Sequence, residues 1–210
     1  MKEYHKIQTV YLRDPDNNYK TLLEGQYALP EFEFLARCNW VFTEKVDGTN
    51  IRVMWDGAAV TFGGKTDRAQ IPAKLAQHLQ ETFVHDAMAG KFGVKDASVC
   101  LYGEGHGAGI QRGGGNYATD QQFVLFDVLI DGCWLKREDV ADIAEALEIP
   151  VVPVVGTGVL DVLVSRCRDG FESAWGPFAA EGIVARPSIE LRTRSGHRII
   201  TKLKAKDFRG

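Results

Sequence analysis

The chain has 210 residues, 45% of them hydrophobic and 25% charged, with a formal net charge of -3. That length suits one substantial domain, and the balance is that of a globular protein rather than a disordered or fibrous one. No apolar run approaches the ~20 residues of a membrane span, and the start, Met1-Lys2-Glu3-Tyr4-His5-Lys6, has no apolar signal region. Cys38, Cys100, Cys133 and Cys167 lack the paired spacing of a zinc site. Unpaired thiols point to a cytoplasmic, reducing compartment.

In chain order, residues 4–12 read as a leading strand, and Asp14-Pro15-Asp16-Asn17-Asn18 as a turn. Pro30 to Arg37 reads as a short helix with proline in its first turn. Asn39-Trp40-Val41-Phe42-Thr43 and Ile51-Arg52-Val53-Met54-Trp55 are strand-like and flank Glu44-Lys45-Val46-Asp47-Gly48-Thr49-Asn50. Lys45 therefore ends a strand beside a glycine turn, a place where a fold presents a nucleophile or a phosphate ligand. An exposed hairpin with ordinary surface charges fits the same segment. Asp56-Gly57 punctuates a hairpin into Ala58-Ala59-Val60-Thr61-Phe62. Gly63-Gly64-Lys65-Thr66 invites a P-loop reading, which fails because Ala59 stands where the pattern needs its first glycine. Lys65 is left as a cation on a turn, with Arg68 close by in sequence.

From Pro72 to about Phe92 the apolar positions Leu75, Leu79, Phe83 and Met88 have helical spacing and predict one packed helix. His78 and His85 on it have no partner at metal spacing. Ser98 to Tyr102 is a short buried strand, followed by Gly103-Glu104-Gly105 and a glycine-rich loop to Gly115 that contains Gln111 and Arg112. No helix pattern follows, which excludes a dinucleotide fingerprint. Gln122 to Ile130 is the most strand-like segment, with Asp131-Gly132 as a turn. Helices are predicted over Lys136–Leu147 and Val159–Arg168, and strands over Glu181–Arg186 and His197–Lys204. With no repeat or linker, this is one α+β domain of mainly antiparallel sheets with flanking helices.

The charge is unevenly spread. From Arg186 to the end there are eight Lys/Arg against Glu190 and Asp207, a net +6, while the other 185 residues carry -9. A basic strip over 186–209 on an acidic body suits a polyphosphate or nucleic-acid backbone, although a solvated terminus has the same composition.

Five polar signatures fall at predicted strand ends: Lys45/Asp47, Glu104, Phe126-Asp127, Glu181-Gly182 and Lys202-Leu203-Lys204. Their order and character resemble the covalent nucleotidyltransferase superfamily of ATP-dependent ligases and mRNA capping enzymes, from Lys45 to about Lys204. Asn50, where DNA ligases and capping enzymes usually carry arginine, resembles the RNA ligase 2 and RNA-editing ligase branch. The resemblance implies a ligase-type nucleotidyltransferase (ATP-grasp-like) domain over residues 1–210, with no separate C-terminal domain. It implies attack of the Lys45 amine on the α-phosphorus of ATP to give lysyl-AMP, then transfer of AMP to a 5′-phosphate end and its displacement by a 3′-hydroxyl. A free lysine is uncharged about once in 2,500 at neutral pH, so cations beside it, Lys202, Lys204 and a bound Mg2+ or Mn2+, would favour the attacking form. Alternation along a strand puts Lys202 and Lys204 on one face.

By the same resemblance Glu104 holds the ribose hydroxyls, Phe126 stacks on adenine, Asp127 fixes local geometry, and Glu44 helps recognise adenine. Asn50 belongs to the nucleotide-binding set, Asp47 and Glu181 serve the metal, and Lys65 and Arg186 contact phosphates. Relatives often carry arginine and lysine at those last two positions, respectively. RNA or other polynucleotide ends would lie on the basic strip. The readings that compete are a DNA ligase or capping guanylyltransferase of the same superfamily, and a non-catalytic nucleotide- or RNA-binding module.

Overall fold

The computed structural model describes residues 3–94 and 98–208. Arg209 of the basic strip and the Met1-Lys2 start lie outside the described residues. The predicted leading strand is two short ones, β1 (Gln8–Thr9) and β2 (Tyr11–Arg13), because the chain changes sheets at the fully buried Val10. β3 (Leu22–Tyr27) pairs with β2, and α1 (Pro30–Phe34) starts at its proline as expected. β4 (Trp40–Glu44) and β5 (Thr49–Trp55) pair with different partners, so Lys45 to Gly48 is a crossing between sheets and not a hairpin turn. β6 (Val60–Gly63) then pairs with β5.

The single helix expected from Pro72 to Phe92 is broken into α2 (Ala73–Thr82) and α3 (His85–Phe92). Phe83 leaves helical dihedrals at φ -101°, ψ 66°, and Val84 is extended. The break lets Phe83 meet Phe123 edge to face at 5.3 Å while Met88 still reaches the core. β7 (Val99–His106) runs four residues past the predicted strand end at Tyr102, straight through Gly103-Glu104-Gly105. Those glycines are tolerated because the Phe123 ring and Leu75 fill the space their side chains would need. β8 (Gln122–Ile130) and α4 (Arg137–Ala146) follow prediction closely, with β9 (Cys133–Trp134) after the turn between them. β10 (Val154–Gly158) was hidden in a segment rich in Pro and Gly. α5 (Leu160–Asp169), β11 (Gly182–Pro187) and β12 (Thr201–Lys204) complete the chain. β12 is shorter than expected because residues 197–199 turn back first: Thr193 N–H donates to His197 O at 2.7 Å and Ile199 N–H to Leu191 O at 3.0 Å.

The elements pack as two compact units, one of residues 1–5 and 47–152, the other of residues 6–46 and 153–210. The first is a fully antiparallel sheet, β6-β5-β7-β8-β9, with α2, α3 and α4 on one face. Ile51, Val53, Trp55, Leu101, Phe123 and Val128 line that apolar face. The second is the sheet β1-β12-β11-β4-β10, in which only β1 and β12 run parallel, with α5 over Phe42, Ile183, Ala185 and Leu203. The whole is a mixed α+β fold with mainly antiparallel sheets. Among the described residues no helix is long and apolar enough to cross a membrane.

Candidate functional site

In the second unit, strand register decides which side chains meet. Gly182 pairs with Lys204 and Val184 with Lys202, so both lysines share a face with Arg186, while Thr201 and Leu203 point into the core. Lys45, just past the end of β4, donates its backbone N–H to Gly182 O at 2.9 Å and falls on that same face. There the Glu181 carboxylate is held between two ammonium groups, Lys45 Nζ on Oε2 at 2.5 Å and Lys204 Nζ on Oε1 at 2.6 Å. All three side chains are largely shielded, with exposures of 20%, 14% and 23% for Lys45, Glu181 and Lys204. Arg186 lies on this face but four residues along β11, about 13 Å away at ~3.3 Å per residue.

Gly182 makes this approach possible, since a Cβ there would stand 2.0 Å from Leu203 O on the adjacent strand. Glu44, next to Lys45, points to the opposite face. It is 1% exposed, and its carboxylate accepts hydrogen bonds from Ser173 Oγ at 2.5 Å and Ala174 N–H at 2.8 Å.

In the first unit the sheet face away from the helices is polar. Asn50 pairs with Glu104 and Arg52 with Tyr102, so these four side chains share it. Asn50 Oδ1 is buried and accepts no hydrogen bond among the described residues. A β-bulge sits between Tyr102 and Gly103: Tyr102 faces Asp127 and Gly103 faces Leu125, which leaves Phe126 as the extra residue. Both Phe126 and Asp127 are thereby turned away from the helix-covered side. Tyr4 Oη donates to the buried Asp127 Oδ2 at 2.8 Å, and the Tyr4 ring lies edge-on to Phe126 at 5.1 Å.

Two residues to which the sequence reading gave no role organise the loops of this unit. Arg52, 1% exposed, donates Nε to Gly64 O at 2.9 Å and Nη2 to Asp67 Oδ1 at 2.7 Å, pinning the loop that carries exposed Lys65. The signal was an arginine at an alternating position of an otherwise apolar strand. Gln111, from the glycine-rich loop, donates to Gly48 O at 3.0 Å, and Asp47 N–H reaches Tyr117 Oη at 3.4 Å, so this loop braces the turn after Lys45. Asp47 itself is half-buried.

Glu181 in the second unit, and separately Asp47 in the first, carry oxygen donors of the kind hard cations take, and no group of three or more His, Cys, Asp or Glu forms a cation cage among the described residues. Such sparse carboxylates fit Mg2+, which keeps waters and takes phosphate oxygens for much of its shell.

A family model described as RNA ligase matches residues 39–204. The chain belongs to the RNA ligase family. That span holds all five signatures, and the covalent nucleotidyltransferase superfamily is the wider group. The fold is similar to that of Naegleria gruberi RNA ligase. An apo mutant of that protein superposes with TM-score 0.68 at 15% identity, covering 98% of this chain and 58% of the other. A mutant bound to ATP and Mn gives TM-score 0.70 at 15% identity, covering 97% and 56%. Another, with AMP and Mn, gives 0.67 at 14%, covering 96% and 57%. The chain thus spans under three fifths of the length of these RNA ligases. No curated protein matches the sequence.

Proposed function

We propose that this chain is the adenylyltransferase part of an ATP-dependent RNA ligase, joining 5′-phosphate to 3′-hydroxyl ends through lysyl-AMP on Lys45. Residues 1–210 then act as one ligase-type nucleotidyltransferase (ATP-grasp-like) domain. The observation that carries this reading is the shielded Lys45–Glu181–Lys204 array inside a chain of the RNA ligase family. An amine at a strand end, fixed by its own backbone bond to Gly182, is a preorganised nucleophile. Before it attacks it must shed a proton, and Glu181 Oε2 at 2.5 Å is the acceptor within reach.

In the first step the Lys45 Nζ–phosphorus bond forms as the bond from the α-phosphorus to the pyrophosphate oxygen breaks. Lys202 and Lys204 neutralise charge on the transferring phosphoryl group. Glu104 takes the ribose hydroxyls, Phe126 offers a ring face to adenine, and Asn50 Oδ1 accepts from the nucleotide. Lys65 and Arg186 take outlying phosphates. Glu181, and on the other unit Asp47, are the carboxylates available to a divalent cation, which would supply charge neutralisation at the phosphates when bound. AMP then passes to a 5′-phosphate, and the 3′-hydroxyl displaces it.

The basic strip 186–209 would carry the polynucleotide, but its cations are not equivalent. Arg198 is buried and bound through Nε and Nη2 to the two oxygens of Glu190, at 2.5 and 2.9 Å. Lys202, Lys204 and Arg186 belong to the Lys45 face. Arg192, Arg194 and His197 stand exposed along the hairpin and are the residues we assign to meet phosphates.

Intact mass after incubation with magnesium and ATP or GTP tests the reading, with Lys45→Ala alongside. A gain of one AMP from ATP alone, lost in the variant, is the expected result. A GMP adduct moves the assignment to capping chemistry, and no adduct in protein free of prior AMP leaves a binding module. Ligation of RNA against DNA ends then separates an RNA ligase from a DNA ligase.

A further inference from the structure

We infer that Glu44 is a positioning residue that fastens the segment delivering Glu181 onto the strand that ends in Lys45, and that its carboxylate does not meet the nucleotide base. Alternation is the first reason. On β4, Glu44 pairs with Ile183 and shares its face with Phe42 and Trp40, each 0% exposed, whereas Lys45 emerges on the other face. A side chain on the core face is turned away from anything Lys45 attacks.

Its partners are the second reason. Residues 171–180 form a small hairpin, closed by Ser173 N–H to Phe178 O at 2.8 Å, Ala180 N–H to Phe171 O at 3.0 Å and a bridge between Glu172 and Ala179. The second arm of this hairpin leads directly into Glu181. Glu44 grips the first arm and turn: Oε1 accepts from Ser173 Oγ at 2.5 Å and Oε2 from Ala174 N–H at 2.8 Å, while Ser173 Oγ accepts from Trp175 N–H at 3.1 Å. Burying a carboxylate is costly unless both oxygens are satisfied, and hydrogen bonds to a charged acceptor are the strong kind. Two adjacent residues therefore hold one incoming segment from opposite faces of the sheet. Glu44 holds the hairpin, and Lys45 holds Gly182 through its backbone and Glu181 through its amine. The distance between amine and carboxylate is set by both.

The catalytic part of this inference rests on the ligase reading above. The test measures the rate of AMP addition by intact mass across a range of ATP concentrations, for wild type, Ser173→Ala, Glu44→Gln and the double variant. Losing one hydrogen bond to a charged acceptor lowers the maximal rate about tenfold in each single variant. The half-saturating ATP concentration and the preference for ATP over GTP stay unchanged, and the double variant is about as slow as either single, because both cut the same link. A higher half-saturating ATP concentration or acceptance of GTP in Glu44→Gln, absent in Ser173→Ala, overturns the inference and makes Glu44 a base ligand. Unchanged rates in both also overturn it.

Hydrogen exchange of residues 172–182 supplies a readout without chemistry. Faster exchange there in both single variants, with α5 unaltered, supports the fastening, and unaltered exchange overturns it. If the wild-type chain takes up no AMP, the ligase reading fails while the exchange comparison still decides the role of Glu44. If Glu44→Gln does not fold, Ser173→Ala carries both measurements.

Discussion

Gly182 follows Glu181 and faces Lys204 across the sheet, and the 2.0 Å left between a built Cβ and Leu203 O is less than any carbon can occupy. Gly182→Ala must push β11 and β12 apart. The expected cost is about 1–3 kcal/mol of stability, read as a lower urea midpoint. AMP uptake falls as well, because Glu181 can no longer meet Lys45 and Lys204 together.

His106 gives a pH dependence. Its ring is fully buried, and burial pulls the imidazole below its ordinary value of 6.5. The folded chain then binds that proton less readily than the unfolded chain, so the stability is intact above about pH 6.5 and is lost as the pH falls below it. Urea midpoints at about pH 7.5 and 5.5 should differ more in wild type than in His106→Asn. Half-buried His78, displaced in the same direction by desolvation, leaves a residual slope in the variant. At this scale Lys45, Glu181 and Lys204 were picked out together through the family resemblance, and the structure brings the three into contact. The direction of Glu44 was not legible, because a period of two assigns a face only once the partner strand is known.

Among the elements, the hairpin of residues 188–199 is the one we propose to meet the polynucleotide. The bidentate Arg198–Glu190 pair and the Arg192–Arg198 bridge fix its base, while Thr193 Oγ1 accepts from His197 N–H at 3.1 Å at the tip. It leaves the main sheet after Pro187, which pairs with Trp40 at the end of β4 opposite Lys45. At ~3.3 Å per residue from Gly182, that is about 17 Å from the amine, so the tip would touch the strand at a distance from the reacting end. Replacing Arg192 and Arg194 by serine should weaken binding of long single strands and lower the slope of log affinity against log salt by about 1.4. AMP uptake from ATP should not change.

The sequence marked this region as basic but not as a hairpin, because its pairing depends on a few backbone bonds among polar residues with no apolar alternation. The break between α2 and α3 and the bulge at Phe126 were invisible for a related reason. Each inserts or bends the chain by one residue to satisfy packing against Phe123 or Tyr102, which a periodicity count averages away.

Across the molecule, charge divides with the packing. Residues 6–46 and 153–210 hold 15 Lys/Arg against 12 Asp/Glu, a net +3, which leaves -6 for the rest. The more basic unit is the one that presents the Lys45 amine and the exposed arginines, where phosphates would be handled. Fold class was readable from the alternation of strands and helices, since apolar faces of both periods stand out. The division into two units was not, because the chain passes between them after His5, Val46 and Val152, where composition does not change.

The parallel pairing of β1 with β12 joins Gln8 to Thr201, a hydrogen bond spanning 193 residues of chain. On a ribosome, residues 47–152 can reach their own antiparallel ladder while β12 is still unmade, since local pairings close at lower entropic cost. Lys45 is then synthesised early, yet Lys202 and Lys204 come only with β12. The Lys45 amine of a half-made chain is thus without its cationic neighbours, and if it is the nucleophile we propose, the order of translation keeps it idle until β12 joins the sheet.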